Sequence, residues 1–204
     1  LERGRLGATS PALARSLGVP VPREAIVSDP GQAGDLREAF SPPVILKPAR
    51  SFTLADVERK RMVRRADTWE DVDPLLEEML VDGPVALQEL CRGVGVGVEL
   101  LLAEGVPLLA FQHERLHEPL HGGGSSYRRS VRVSEELLEA ALTLLSALRY
   151  TGVAMVEFKR ETETGRWVLL EVNARFWGSL PLALAAGADF PLALVELPVE
   201  ERTE

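Results

Sequence analysis

Two carboxylates, an amide and a guanidinium recur at strand spacing late in the chain. Glu171, Asn173 and Arg175 alternate along Leu170-Glu171-Val172-Asn173-Ala174-Arg175, and alternate residues of a strand share one face. Glu157 sits in the apolar run 153–159 just upstream, and a hairpin through the polar turn 161–165 lays it beside Glu171. Both runs are otherwise apolar, so their polar groups form a face that needs a partner. Glu157, Glu171 and Asn173 offer oxygen donors only. That set suits Mg2+ (or Mn2+) shared with substrate phosphates. Arg175 adds a planar fork matched to a phosphoryl oxygen. On spacing alone, the other reading is an edge hairpin with its polar face in water.

A second constellation competes. His113-Glu114-Arg115-Leu116-His117 has the His-Glu-x-x-His pattern of zinc hydrolases, and the third histidine of the chain, His121, follows closely. On a helix, His113 and His117 share a face, with Glu114 as base. Pro107 and Pro119 bracket the segment, however, and leave little room for a long helix. Residues 106–111 follow the hairpin turn Glu104-Gly105 and read as strand. On a strand the two histidines lie too far apart to chelate easily, so zinc hydrolysis is a remote alternative. His121-Gly122-Gly123-Gly124 has no Gly-x-Ser-x-Gly partner in the chain, which sets an esterase aside. The alternation Gly93, Gly95, Gly97 lets a strand pass close to another group.

The elements that must position these residues follow from capping and periodicity. Helices are expected over 9–17, 31–39, 68–80 with a Thr68/Asp71 capping box, and from the cap Ser134 to about 148. A last helical region spans 180–197, broken near Gly187 and Pro191. Strands are expected at 44–47, 61–66, 85–89, 94–103, 106–113, 153–159 and 167–173, with 19–27 extended. Mixed helix and strand followed by an antiparallel sheet is an α+β pattern.

Bulk composition narrows the function classes. The 204 residues are 46% hydrophobic, enough for a core in one domain or two small lobes. A net charge of −8 gives no basic face for nucleic acid. The single cysteine, Cys91, excludes a disulfide framework and fits a reducing cytoplasm. No apolar run reaches bilayer length, so no membrane partner is expected. The chain opens on Leu1, which points to a piece of a longer protein.

Several segments, taken in order, resemble the ATP-grasp superfamily, nearest to its carbamoyl-phosphate synthase large subunit and biotin carboxylase branch. They are Ala12–Pro22 "ALARSLGVPVP", Pro43–Pro48 "PVILKP", Gln88-Glu89-Leu90-Cys91, Gly93 onwards with Glu99, His121-Gly122-Gly123-Gly124-Ser125, and Leu170–Arg175 followed by Gly187-Ala188-Asp189-Phe190-Pro191. The resemblance implies two α+β lobes with ATP bound between them. Residues 1–42 would be entry helix and linker, 43–87 the small lobe and 88–204 the large lobe carrying the metal site. The family's N-terminal domain is missing from this chain. Lys47 would reach the ATP phosphates, and Gln88, Glu89, Leu90 and Cys91 would hold adenine at the hinge. The loop at His121 would close the nucleotide pocket. Glu157, Glu171 and Asn173 would bind Mg2+, and Arg175 would act with Lys47 on the transferred phosphate. Implied partners are ATP, a small carboxylic acid and an amine or other nucleophile, with a homo-oligomer possible. The implied activity is carboxylate–amine ligation through an acylphosphate; the alternative is an incomplete nucleotide-binding module. The family's glycine-rich phosphate loop has no counterpart in residues 51–60, so Arg50 or Arg59 is the candidate substitute.

Overall fold

A computed structural model of the chain describes residues 6–49, 63–117 and 127–197. In chain order the elements are α1 (Leu6–Ser16), β1 (Glu24–Val27), α2 (Ala33–Ala39), β2 (Val44–Pro48), β3 (Arg64–Ala66), α3 (Trp69–Leu80), β4 (Val85–Glu89), β5 (Val94–Ala103), β6 (Val106–His117), β7 (Tyr127–Val131), α4 (Glu135–Ala147), β8 (Gly152–Arg160), β9 (Trp167–Asn173), α5 (Leu180–Ala185) and α6 (Phe190–Val195). They divide into two compact units, one of residues 22–92, the other of residues 6–21, 93–117 and 127–197. The expected loop at His121 and the candidates Arg50 and Arg59 lie outside the described residues.

The smaller unit is an antiparallel sheet in the order β1-β4-β2-β3. Val44 and Leu46 alternate with Ile45 and Lys47 along β2. The first pair is buried with Val72 and Leu76 of α3, Leu36 of α2, and Val85 and Leu87 of β4. Lys47 therefore projects from the opposite face, as does Gln88 relative to Leu87. Helix α3 begins as expected: Thr68 and Asp71 exchange side-chain to backbone bonds of 3.3 and 3.0 Å. Residues 22–42, expected as linker, contribute β1 and α2 to this unit.

The larger unit is an antiparallel sheet in the order β7-β6-β5-β8-β9. One face buries Val96, Val98, Leu100, Ala154, Val156 and Phe158 against Leu137, Ala141, Leu144 and Leu145 of α4, with Ala14 of α1 in the same core. On the other face, Leu101, Phe111, Val153 and Met155 pack against Trp177, Ala183 and Phe190 of the C-terminal helical region. The remainder of that second face is polar. Glu104 and Gly105 turn β5 into β6 with φ of 49° and 84°, the left-handed pair that a tight hairpin requires. Ser134 stands at the N-cap of α4, but its side chain makes no capping bond; its backbone N–H instead donates to Gln112 Oε1 at 2.9 Å. Strand β6 runs four residues past its expected end. Strand β7 was not expected at all, because Tyr-Arg-Arg-Ser-Val is short and polar and carries no apolar alternation. Among the described residues, no helix is long and apolar enough to cross a membrane.

Candidate active site

The polar part of the larger sheet is a grid set by strand register. Its central row runs His113, Gly97, Glu157, Glu171 across β6, β5, β8 and β9. The adjoining row holds Glu99, Met155 and Asn173, and Arg115 and Arg128 pair in the row on the other side. The sequence expectation that Glu157 and Glu171 lie side by side is met by direct cross-strand pairing, next to a bulge at Glu157/Phe158.

Asn173 Nδ2 donates to Glu171 Oε1 at 2.7 Å and reaches Glu157 Oε1 at 3.5 Å. Its Oδ1 accepts from Arg175 Nη2 at 3.0 Å. The amide nitrogen thus faces the carboxylates, and a half-turn of the amide would present the oxygen to a cation. Burial raises the Glu157 carboxyl; Arg115 opposes this and Glu171 adds to it. Two neighbouring carboxylates, one mostly buried, form a donor set whose charge a divalent cation fits. Arg115 Nη2 also meets Glu157 Oε2, at 2.5 Å. This contact spans a full strand, because β5 offers no side chain at Gly95 and Gly97 between β6 and β8.

His113 belongs to this grid and not to a zinc site. It sits on strand β6, with Nδ1 2.5 Å from Glu99 Oε1, and Ser179 Oγ donates to the same Glu99 oxygen at 3.2 Å. Glu114, its neighbour in sequence, belongs to the opposite face, where Arg129 and Arg160 bind it at 2.8 and 2.6 Å. A strand sends successive side chains to opposite faces, so Glu114 is unavailable as a base beside His113. Among the described residues, no three His, Cys, Asp or Glu side chains gather as a metal set.

The glycine alternation has a visible cause at Gly97. A Cβ there would meet the His113 ring, with Nδ1 at 2.9 Å and Glu99 Oε1 at 3.0 Å. Gly97→Ala is therefore expected to lower stability by about 1–3 kcal/mol through overpacking. Gly34→Ala on α2, where nothing lies within 4 Å, is expected to move it the other way, by up to about 1 kcal/mol. Thermal melts of the two variants check this, and equal shifts would remove His113 as the reason for the glycine.

In the smaller unit, Lys47 Nζ lies 3.5 Å from Glu24 Oε2, which also accepts from Gln88 Nε2 at 3.1 Å. Lys47 and Gln88 are thus brought together through Glu24, which the sequence did not single out. Glu89 accepts from the Arg23 backbone N–H at 2.9 Å and from Arg23 Nε at 2.8 Å. Burial pushes this carboxyl up, but the Arg23 bonds and charge outweigh it and hold it below the usual range. The Glu89 side chain thus ties β1 to β4. Leu90 and Cys91, which follow it, are half-buried, and Cys91 forms no disulfide. Besides Glu24, sequence reasoning passed over Arg115, Arg128 and Ser179. The first two join the polar face only through the pairing of β6 with β7, which the short polar run 127–131 does not announce.

A four-stranded and a five-stranded antiparallel sheet, each with helices on a face and with the carboxylate pair on the final hairpin, define an ATP-grasp fold. The chain belongs to the ATP-grasp family: the model described as ATP-grasp in the biosynthetic pathway with Ter operon matches residues 84–204. It is similar to the carbamoyl phosphate synthase large chain, N-terminal section, of Methanopyrus kandleri, with 28% identity over 200 residues, covering 90% of this chain and 33% of that relative. The fold matches the biotin carboxylase–βγ-ATP complex from Campylobacter jejuni, with TM-score 0.74, 17% identity and coverage of 95% of this chain and 47% of that one. It also matches L-amino acid ligase from Bacillus licheniformis, with TM-score 0.69, 18% identity and coverage of 96% and 47%. The chain thus spans a third of the first relative and about half of the two solved structures.

Proposed function

We propose that this chain is the nucleotide- and metal-binding part of an ATP-dependent ligase that activates a carboxylic acid as its acylphosphate. The observation that carries this reading is the in-register Glu157–Glu171 pair, with Asn173 and Arg175 on the same face of the sheet. Membership of the ATP-grasp family and likeness to a carbamoyl phosphate synthase chain and an L-amino acid ligase support it.

In this reading, a carboxylate oxygen of the acid attacks the γ-phosphorus of ATP. The bond from that phosphorus to the β,γ-bridging oxygen breaks, and ADP leaves. An amine or other nucleophile then attacks the acyl carbon and phosphate departs, the amine giving up a proton. Magnesium held by Glu157, Glu171 and the Asn173 amide oxygen would supply positive charge at the phosphate oxygens. By the family resemblance Lys47 would supply a point charge to the ATP phosphates, and Glu24, 3.5 Å from its ammonium, is the group that holds it. Arg175, anchored on Asn173, presents its fork to the moving phosphoryl group. The backbone of Glu89, Leu90 and Cys91 holds adenine, while the Glu89 carboxylate stays with Arg23. Transfer of this kind depends on positioning and electrostatics, and the strand-borne Glu157, Glu171 and Asn173 support this reading.

ATP is expected to raise the melting temperature, and by more with Mg2+ than in EDTA, because a ligand of the native state alone stabilises by mass action. Equal shifts in magnesium and in EDTA would show that Glu157 and Glu171 are not a metal site.

A further inference from the structure

Arg115 and Arg128 stand directly opposite each other on β6 and β7. Side chains so paired start roughly 5 Å apart, and like charges there destabilise a sheet. Neither guanidinium is fully in water to relieve this. The Arg115 side chain is 16% exposed, and Arg128 is half-buried with its Nε buried and without a hydrogen-bond partner among the described residues. Burial, and then the neighbouring Arg115 charge, pull the Arg128 pKa below its usual value, and the Glu157 and Glu99 charges offset this only in part. The next residue behaves otherwise: Arg129, on the opposite side of the strand, is 61% exposed and paired with Glu114. An edge strand has no structural need for a half-buried arginine whose Nε has no partner among the described residues when it can pair the next arginine in this way.

The surroundings show what such a pair is suited to receive. Arg115 adjoins Glu157 at 2.5 Å, so the two arginines border the carboxylate pair on the β6–β7 side of the sheet. The loop between β9 and α5 passes beside Arg128 at a residue with no side chain: a Cβ on Gly178 would lie 3.8 Å from Arg128 Nη2. That loop also carries Arg175. The polar face is therefore divided, with a cation-attracting half at Glu157, Glu171 and Asn173 and an anion-attracting half at Arg115 and Arg128.

We propose that Arg115 and Arg128 form the subsite for the carboxylate of the acid substrate, holding it beside Glu157 where its oxygen can reach the γ-phosphorus. This rests on the ligase reading above. A carboxylate is a planar, singly charged oxyanion with two oxygens, which matches guanidinium forks. Lys47 and Arg175 already answer the phosphate groups in that reading, so the second pair of cations serves the other anionic reactant. The bound anion also relieves the repulsion that the arginine pair carries in its absence.

The experiment uses the full chain with Mg2+ and ADP. Thermal shifts are measured against acetate, lactate, glycine, L-glutamate and benzoate, each against chloride at matched ionic strength, with inorganic phosphate as a separate arm. At least one acid is expected to give a saturable rise in melting temperature. Its apparent affinity should fall about ten- to a hundredfold in Arg128→Gln, as expected for losing hydrogen bonds to a charged group. It should fall less in Arg128→Lys, which keeps the charge and loses the fork. A shift with none of the acids, an equal shift in Arg128→Gln, or a shift with phosphate alone overturns the carboxylate subsite. The Mg2+ and ADP shift of the wild-type chain, read in the same plates before any acid is added, tests the ligase reading separately. If it is absent while the acid shift persists, the nucleotide site fails and the arginine pair stands.

Discussion

Glu171→Gln is expected to reduce phosphoryl transfer by the complete enzyme on the order of 10²–10³-fold, while adenine nucleotides still bind. The substitution keeps the side chain's shape, and its remaining carbonyl oxygen can still accept from Asn173 Nδ2, now 2.7 Å from Glu171. One negative charge is lost from the pair that answers the cation. That charge matters most as electrons move onto the phosphate oxygens in the transition state, so the loss falls on turnover more than on ground-state affinity. Glu157 responds in a definite direction. Glu171 is one of the groups that raise its pKa, so the variant lets Glu157 ionise more readily and retains part of the metal site. The corresponding change at Glu157 is expected to be more severe, because it also removes the negative charge that Arg115 pairs with at 2.5 Å. ADP release at saturating ATP, measured beside nucleotide affinity by calorimetry, separates the two effects. A Glu171→Gln enzyme with intact turnover and weakened ATP affinity would move the catalytic metal elsewhere.

How far the site can be read from sequence depends on which contacts are local. Glu171, Asn173 and Arg175 share one strand and announce themselves by period two. Glu157 joins them because a short polar turn leaves a hairpin as the simple connection. Thr68 with Asp71 and Glu104 with Gly105 are legible for the same reason, since each is closed by its own neighbours. Arg115 and Arg128 are not. Arg115 meets Glu157 across 42 residues, and β7, which carries Arg128, has no apolar alternation to mark it as strand. The histidine pattern 113–117 misleads because the same five letters serve either period; the strand, once formed, sends His113 and Glu114 to opposite faces. Glu24 is hidden in a stretch whose prolines conceal a sheet position, and it meets Gln88 across 64 residues. Register is a long-range property, and one sequence records it only where both strands alternate clearly.

Glu99→Ala is expected to lower stability by roughly 3–5 kcal/mol, because it removes one side of a buried polar pair and leaves the other unpartnered. Glu99, His113 and Ser179 are 0%, 1% and 3% exposed, so water cannot replace the lost carboxylate. Glu99→Gln keeps the shape and removes the charge, which makes its effect depend on pH. Burial raises the Glu99 carboxyl above the usual range, against the opposing pull of His113 and Ser179. A raised carboxyl means that the folded state keeps a proton the unfolded chain gives up. The favourable contribution is then complete below the unfolded value, about 4.3, and declines as pH rises through the folded value. The Gln variant carries no such proton, so its stability relative to wild type should improve as pH is raised from 4 to about 8. Urea unfolding at several pH values checks both statements, with two probes because two units need not melt together. Ser179 follows Arg175 on the β9–α5 loop, so the same pair anchors the segment that carries the phosphate-facing guanidinium. Glu99→Ala should therefore weaken phosphoryl transfer at temperatures well below its melting point, whereas Gly97→Ala should crowd the pair but leave its hydrogen bonds in place. A Glu99→Ala protein within about 1 kcal/mol of wild type, or a Gln-to-Glu difference that does not change with pH, would show that this buried pair bears no weight in the sheet.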